Sequence, residues 1–143
     1  LQAMILTEGP QMVLTPTYHV FHMYRDYMDG TVLPVEVSSP YYNAGPSTLP
    51  TVSASAVRGK DGVVHVGLTN ADPDQPSTVT IRMQGVQPGA VSGTVLTAPE
   101  MTALNTFDAP NSVQPAAFTG ASVQGDTLTV TLPAKSVVML DLR

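Results

Sequence analysis

The stretch Thr15–Asp29, TPTYHVFHMYRDYMD, carries a helical apolar repeat inside a chain that otherwise alternates like a β protein. Thr15 fits an N-cap whose hydroxyl accepts from an otherwise open amide. Pro16 fits the first helical position, where a missing N–H costs nothing. Tyr18, Val20, Phe21, Met23, Tyr24, Tyr27 and Met28 recur at spacings of three and four and make a broad apolar stripe. His19, His22, Asp26 and Asp29 fall on the opposite, solvent-facing stripe. An amphipathic helix must bury its apolar flank, and the sequence offers no second helix to receive it. The expectation is a piece of something larger.

The 143 residues suit one domain, or one domain with a remnant of another. A hydrophobic fraction of 43% is enough to supply a core. Thirteen Pro and eleven Gly, among frequent Val and Thr, point to short strands joined by turns. The six basic residues (Arg25, Arg58, Lys60, Arg82, Lys135 and Arg143) are scattered and the net charge is −5, which excludes a nucleic-acid or anionic-membrane surface. With no cysteine, structural disulfides and thiolate metal sites are excluded within the chain. No run approaches the roughly 20 apolar residues of a membrane span. The opening LQAMIL lacks the basic flank of a signal peptide.

Leu1–Leu6 is a continuous apolar run, expected as a buried parallel strand. A loop over Thr7–Leu14 then leads into the helix, so strand, loop and helix read as the last unit of an α/β architecture. Ser38–Pro50 reads as a linker without structure of its own. Beyond it alternation dominates. Thr51–Val57 and Val63–Thr69 flank Arg58–Gly62 as a hairpin, followed by Thr78–Met83, Val91–Leu96, a strand-like segment near Thr102–Leu104, and a long polar loop through Pro115. Ala121–Val123, Thr127–Leu132 and Ser136–Leu142 close the chain. Seven or eight short strands imply a two-sheet antiparallel sandwich of jelly-roll or Greek-key type.

The opening LQAMILTEG, the run MVLTPTYHVFHMYRDYMDGTVLPV and the ending LPAKSVVMLDL together resemble the C-terminal portion of glycoside hydrolase family 51 α-L-arabinofuranosidases. The resemblance covers the whole chain in order and is strongest over residues 1–35. It implies a mainly β fold: an antiparallel β-sandwich preceded by the last strand-loop-helix unit of a (β/α)8 barrel. Residues 1–35 would be that terminal βα unit and 36–143 the sandwich domain. It further implies a retaining glycosidase that releases terminal non-reducing α-L-arabinofuranosyl units from arabinose-containing oligo- or polysaccharides. No cofactor is implied, a missing barrel domain is the principal partner, and the parent is expected to form homo-oligomers. An intracellular setting is favoured over a secreted one.

Retaining chemistry needs two carboxyl groups about 5–5.5 Å apart. The resemblance places both on barrel strands upstream of Leu1, so Glu8, Glu36 and Glu100 are expected to be non-catalytic and this segment inactive alone. The loop after the last barrel strand would reach the sugar pocket, since barrel active sites are built from such loops. Gln2, Met4, Glu8, Gln11 and Met12 are rim candidates, with Gln11 and Met12 the substrate-binding choices.

Other constellations have plainer readings. His19, His22 and Asp26 share one helical stripe with spacings that could bind zinc, but no HExxH glutamate accompanies them, and a polar outer stripe explains them better. His65 alternates within a strand and reads as packing or a surface position. Asp72 and Asp74 in NADPDQP could line a calcium loop but fit an Asx turn better. The alternative class, a stand-alone carbohydrate-binding sandwich, would need an aromatic platform, and aromatics after residue 50 are scarce.

Overall fold

The computed structural model describes residues 3–143 of the chain. In chain order the elements are β1 (Ile5–Glu8), β2 (Gln11–Leu14), α1 (Pro16–Met23) and one 3-10 turn (Arg25–Tyr27). Then follow β3 (Thr31–Leu33), β4 (Tyr41–Ala44), β5 (Ser47–Pro50), β6 (Val52–Arg58), β7 (Val64–Asn70) and β8 (Ser77–Arg82). The last are β9 (Val91–Leu96), β10 (Ala116–Ala117), β11 (Ala121–Gln124), β12 (Thr127–Leu132) and β13 (Ser136–Leu142).

Alternating strands build two facing antiparallel sheets, as the sequence implied. The larger has six strands in the order β10-β9-β13-β7-β6-β3, and the smaller has three, β11-β12-β8. Val64, Val66 and Leu68 of β7 share a face with Val138, Leu140 and Leu142 of β13. Against them lie Leu128, Val130 and Leu132 of β12, and these residues form the main core. The strand β7 is buried along almost its whole length because the other face of the large sheet is covered too. There Met139 and Leu96 pack with Met23 of α1 and Val113 of the long loop, and Val20, Tyr24 and Tyr27 close the edge of this second cluster.

That second cluster corrects the expectation that nothing in the chain receives the helix. One flank of α1 lies on the chain's own sheet. Gly67 of β7 makes the fit possible: a Cβ there would stand 2.5 Å from the Tyr24 hydroxyl and 2.9 Å from its ring. The other flank has no such cover. Phe21 on it is 65% exposed, and Met28, which follows the 3-10 turn, is 79% exposed.

Several local expectations change. Ile5–Glu8 is not a buried parallel strand; it pairs antiparallel with Gln11–Leu14, with Leu6 opposite Val13 and Glu8 opposite Gln11. Gly9 at φ +55 followed by Pro10, with its fixed φ, gives a two-residue hairpin turn of the II′ kind. Leu1 and Gln2 lie outside the described residues. The helix ends at Met23, five residues before the apolar repeat does at Met28, and the chain tightens into the 3-10 turn. Thr15 caps it as expected, accepting from the Tyr18 N–H at 3.4 Å. Ser38–Pro50 is not structureless, because Tyr41–Ala44 and Ser47–Pro50 form a separate hairpin. No strand forms at Thr102–Leu104. Thr31–Leu33 joins the edge of the large sheet by pairing with Ala56–Arg58.

Candidate functional site

Three places concentrate polar chemistry. The first is the β1–β2 hairpin, which holds Met4, Glu8, Gln11 and Met12 in exposed positions, Met12 at 61%. Its base is fixed to the helix start: the Thr15 hydroxyl donates to Ala3 O at 2.8 Å, and the Thr15 N–H donates to Met4 O at 3.0 Å. Asn105, buried in the long loop, donates from Nδ2 to Leu14 O at 2.8 Å and Val113 O at 2.9 Å, and its Oδ1 accepts from the Val113 N–H at 2.7 Å. The hairpin is therefore a projecting arm on a rigid root. Glu36 and Glu100 are exposed on segments of their own, away from Glu8 in sequence and element.

The second is an open cleft of about 620 Å³ between α1 and strands β9 and β13. His19, His22 and Asp26 line it, together with Tyr18, Arg25, Ser92, Thr94 and Asp141. His22 and Asp26 are exposed and His19 is half-buried, so the polar outer stripe expected of them is found, with the β9–β13 end of the sheet across the cleft from it. Burial, and secondarily the neighbouring His22, lower the His19 pKa from its ordinary value. Arg25 spans the stripe, with Nη1 3.1 Å from His22 Nε2 and Nε donating to Asp26 Oδ1 at 3.2 Å. Among the described residues no three His, Cys, Asp or Glu side chains come together to hold a metal ion.

The third is a set of polar anchors under the helix. Tyr27 accepts from the Gly67 N–H at 2.7 Å and donates to Ser55 O at 2.8 Å, bridging two residues that are register partners across β6 and β7. Its pKa is raised, first by burial and then by Tyr24, while the bonds to Ser55 and Gly67 act the other way. A raised folded-state value means the stabilising contribution is complete below the ordinary pKa near 10 and is lost as pH climbs through the folded value. Replacing Tyr27 with Phe should cost about 1–3 kcal/mol by stranding two backbone groups. It should also flatten the loss of stability above pH 10 in thermal melts. An alkaline limb identical in wild type and variant would contradict this role.

His65, read as packing, is buried on the helix-covered face and contacts Asp141 with Nδ1 at 2.8 Å from Oδ1. Asp72 forms the expected Asx turn: its Oδ1 accepts from the Asp74 N–H at 2.8 Å and the Gln75 N–H at 2.9 Å. Sequence reasoning missed Asn105 and the Tyr27 bridge. An asparagine in a polar loop and a tyrosine in an apolar stripe carry no periodic signal of their own. Asp141 could have been noticed as the one acid in SVVMLDL.

The chain matches the family described as alpha-L-arabinofuranosidase C-terminal domain over residues 1–136. It is 42% identical, along its whole length, to 28% of an intracellular exo-alpha-L-arabinofuranosidase from Bacteroides ovatus. The glycoside hydrolase family 51 arabinofuranosidase from Xanthomonas axonopodis pv. citri superimposes with a TM-score of 0.97 at 50% identity, over 100% of this chain and 29% of that one. A family 51 alpha-L-arabinofuranosidase from Bifidobacterium longum shares the fold, with a TM-score of 0.85 at 24% identity over 99% of this chain and 28% of its own. The chain thus spans under a third of the relatives it matches.

Proposed function

This chain belongs to the C-terminal domain family of the glycoside hydrolase family 51 α-L-arabinofuranosidases, and from that premise we propose that it serves such an enzyme as a structural brace. The parent releases terminal α-L-arabinofuranosyl units from arabinose-containing oligo- or polysaccharides by a retaining route through a covalent glycosyl-enzyme, without a cofactor. The segment 1–35 carries the last helix of a catalytic barrel, with the β1–β2 hairpin as the loop that enters it, and 36–143 is the sandwich, whose large sheet takes β3 as its edge strand. The parent assembles as a homo-oligomer.

The observation that carries this reading is the two-sided helix. Met23, Val20, Tyr24 and Tyr27 are docked on the sandwich while Phe21 and Met28 point outward. A second, larger body packed on that outer flank would bury both. The acid–base pair needs carboxyl groups about 5–5.5 Å apart for a retaining reaction. Glu8, Glu36 and Glu100 sit on three separate exposed segments, so the pair belongs to the rest of the enzyme. The projecting hairpin, with Gln11 and Met12 on it, serves as one wall of the sugar pocket, in keeping with the loop-built active faces of barrels.

Turnover of an aryl α-L-arabinofuranoside tests the assignment. The full-length protein is expected to hydrolyse it and the 143-residue chain is not. In the full-length protein Glu8→Gln should leave kcat intact, whereas Gln11→Ala should raise KM about three- to tenfold, at most about 1.4 kcal/mol of lost binding. Turnover by the isolated chain, abolished by Glu8→Gln, would overturn it. Tight binding of the chain alone to insoluble arabinan would instead favour a carbohydrate-binding module.

A further inference from the structure

The hairpin β4–β5 (Tyr41–Pro50) stands apart from both sheets, its strands pairing only with each other among the described residues. Its root is fixed, because the Thr51 N–H donates to Pro40 O and the Val52 N–H to Ser39 Oγ, each at 2.8 Å. Gly45 at φ +61 turns the chain over in two residues. Tyr41, Asn43, Thr48 and Pro50 share one face by register and all four are exposed, Tyr41 at 70%. Leu49, opposite Tyr42 on the other face, is 47% exposed. A two-stranded hairpin is marginal in water on its own and becomes stable when further strands extend it.

Charge, edge and position together identify what extends this one. Val37–Val57, 21 residues, carry no charged side chain, in a chain of net charge −5. Across a two-fold axis residues meet their own copies, so any charge near the axis becomes a like-charge pair. A neutral arm avoids that conflict, and neutrality offers nothing to the complementary charge that selects an unlike partner. The outer edge of β4 is open, and Tyr41–Ala44 contain neither the charge nor the proline that blunts an edge against another chain. β5 instead ends in Pro50, which has no N–H to give. The arm leaves the large sheet at Val52, whereas Gly30 and Thr31 lie against Arg58, at the other end of β6. Met28 is therefore about 20 Å from the root of the arm, and the body assigned to the flank of α1 docks at the far end.

We propose that β4–β5 is a self-association arm, through which two copies of this chain pair β4 with β4 across a two-fold axis. The two hairpins become one four-stranded sheet, with Tyr41 and Tyr42 supplying cross-strand aromatic contacts. The arm gives the homo-oligomer proposed above its contact surface and, for the parent, rests on that reading.

A ten-residue arm offers less than the about 800 Å² per partner of a standard interface, so sedimentation velocity of the 143-residue chain should show a monomer–dimer equilibrium with Kd about 10–100 µM. Asn43→Asp keeps an acceptor for the Thr48 hydroxyl, which donates to Asn43 Oδ1 at 3.2 Å, and sets like charges face to face. It should weaken association about tenfold, and added salt should recover part of the loss. The chain has no cysteine, so a single one reports on its own copy. A short bis-maleimide should link Asn43→Cys chains into dimers, and should leave Met28→Cys on the flank beyond α1 and Ser122→Cys on the small sheet as monomers. A chain that stays monomeric well above that concentration range, association that Asn43→Asp leaves unchanged, or cross-linking as efficient at Met28→Cys or Ser122→Cys would overturn the arm. A full-length protein that sediments as a monomer would sink the homo-oligomer reading of the parent, and the cross-linking of the 143-residue chain would still decide this contact.

Discussion

Leu140→Ala is expected to destabilise the domain by about 2–5 kcal/mol, the cost of an uncollapsed cavity in a rigid core. Leu140 is fully buried on β13, paired with Val66 on one side and Gly93 on the other. Its methyl groups fill the space over Gly93, where an added Cβ would come within 2.6 Å of Leu140 Cδ2. The strands on either side are hydrogen-bonded along seven and six register pairs, so they cannot close on the hole. Urea unfolding of both proteins measures the difference. A contrasting change at the sheet surface, Thr78→Ala, removes an exposed hydroxyl contact to Thr131 and should stay within about 0.5 kcal/mol. Equal effects at the two positions would mean that the two-sheet core is not what holds the chain together.

Asn105→Ala is the second large loss, at about 3–5 kcal/mol. One side chain serves three backbone groups, Leu14 O, Val113 O and Val113 N–H, and each becomes a stranded buried polar group at about 1–3 kcal/mol before relaxation. The effect should not be confined to stability. Asn105 ties the long loop to the end of β2, so releasing it should loosen the β1–β2 hairpin. Faster amide exchange at Gln11–Leu14 than in a variant of matched stability, such as one weakened at the main core, would show that local consequence. Exchange that rises uniformly over the chain would contradict it.

Much of the sandwich was legible because its strands have one face in a core and one in water. Thr127–Leu132 is found where alternation put it, and Val91–Leu96 and Ser136–Leu142 are found as well, bounded by turn residues, although α1 and the long loop cover the second face of their sheet. Where both faces are covered, or neither is, the period-two signal fades. Ile5-Leu6 and Val13-Leu14 are apolar pairs rather than alternations, so Leu1–Leu6 reads as a buried strand and Thr7–Leu14 as a loop, and the hairpin across the Gly9-Pro10 turn leaves no period-two signal. Tyr41–Pro50 has two exposed faces and a Pro/Ser/Gly composition, and its hairpin left no pattern to detect. The helix shows a further limit. Tyr27 and Met28 keep the three-and-four spacing, but Tyr27 is held by Ser55 and Gly67 across the fold, and those bonds favour a tight turn over another helical one. Periodicity found the two flanks of α1 and assigned the polar one to solvent. It could not see that Ser92, Thr94 and Asp141 would line the same open cleft as His19 and Asp26.

The exposed flank of α1 decides whether this domain works as part of a larger enzyme. Methionine oxidation read by mass spectrometry reports it directly, because Met28 is open in the chain while Met23 and Met139, each 7% exposed, are internal standards. In the isolated chain Met28 should oxidise far faster than either. In the full-length protein its rate should fall toward theirs as the catalytic body covers Phe21 and Met28. A Met28 that oxidises equally fast in both would contradict the claim that this flank is a docking face.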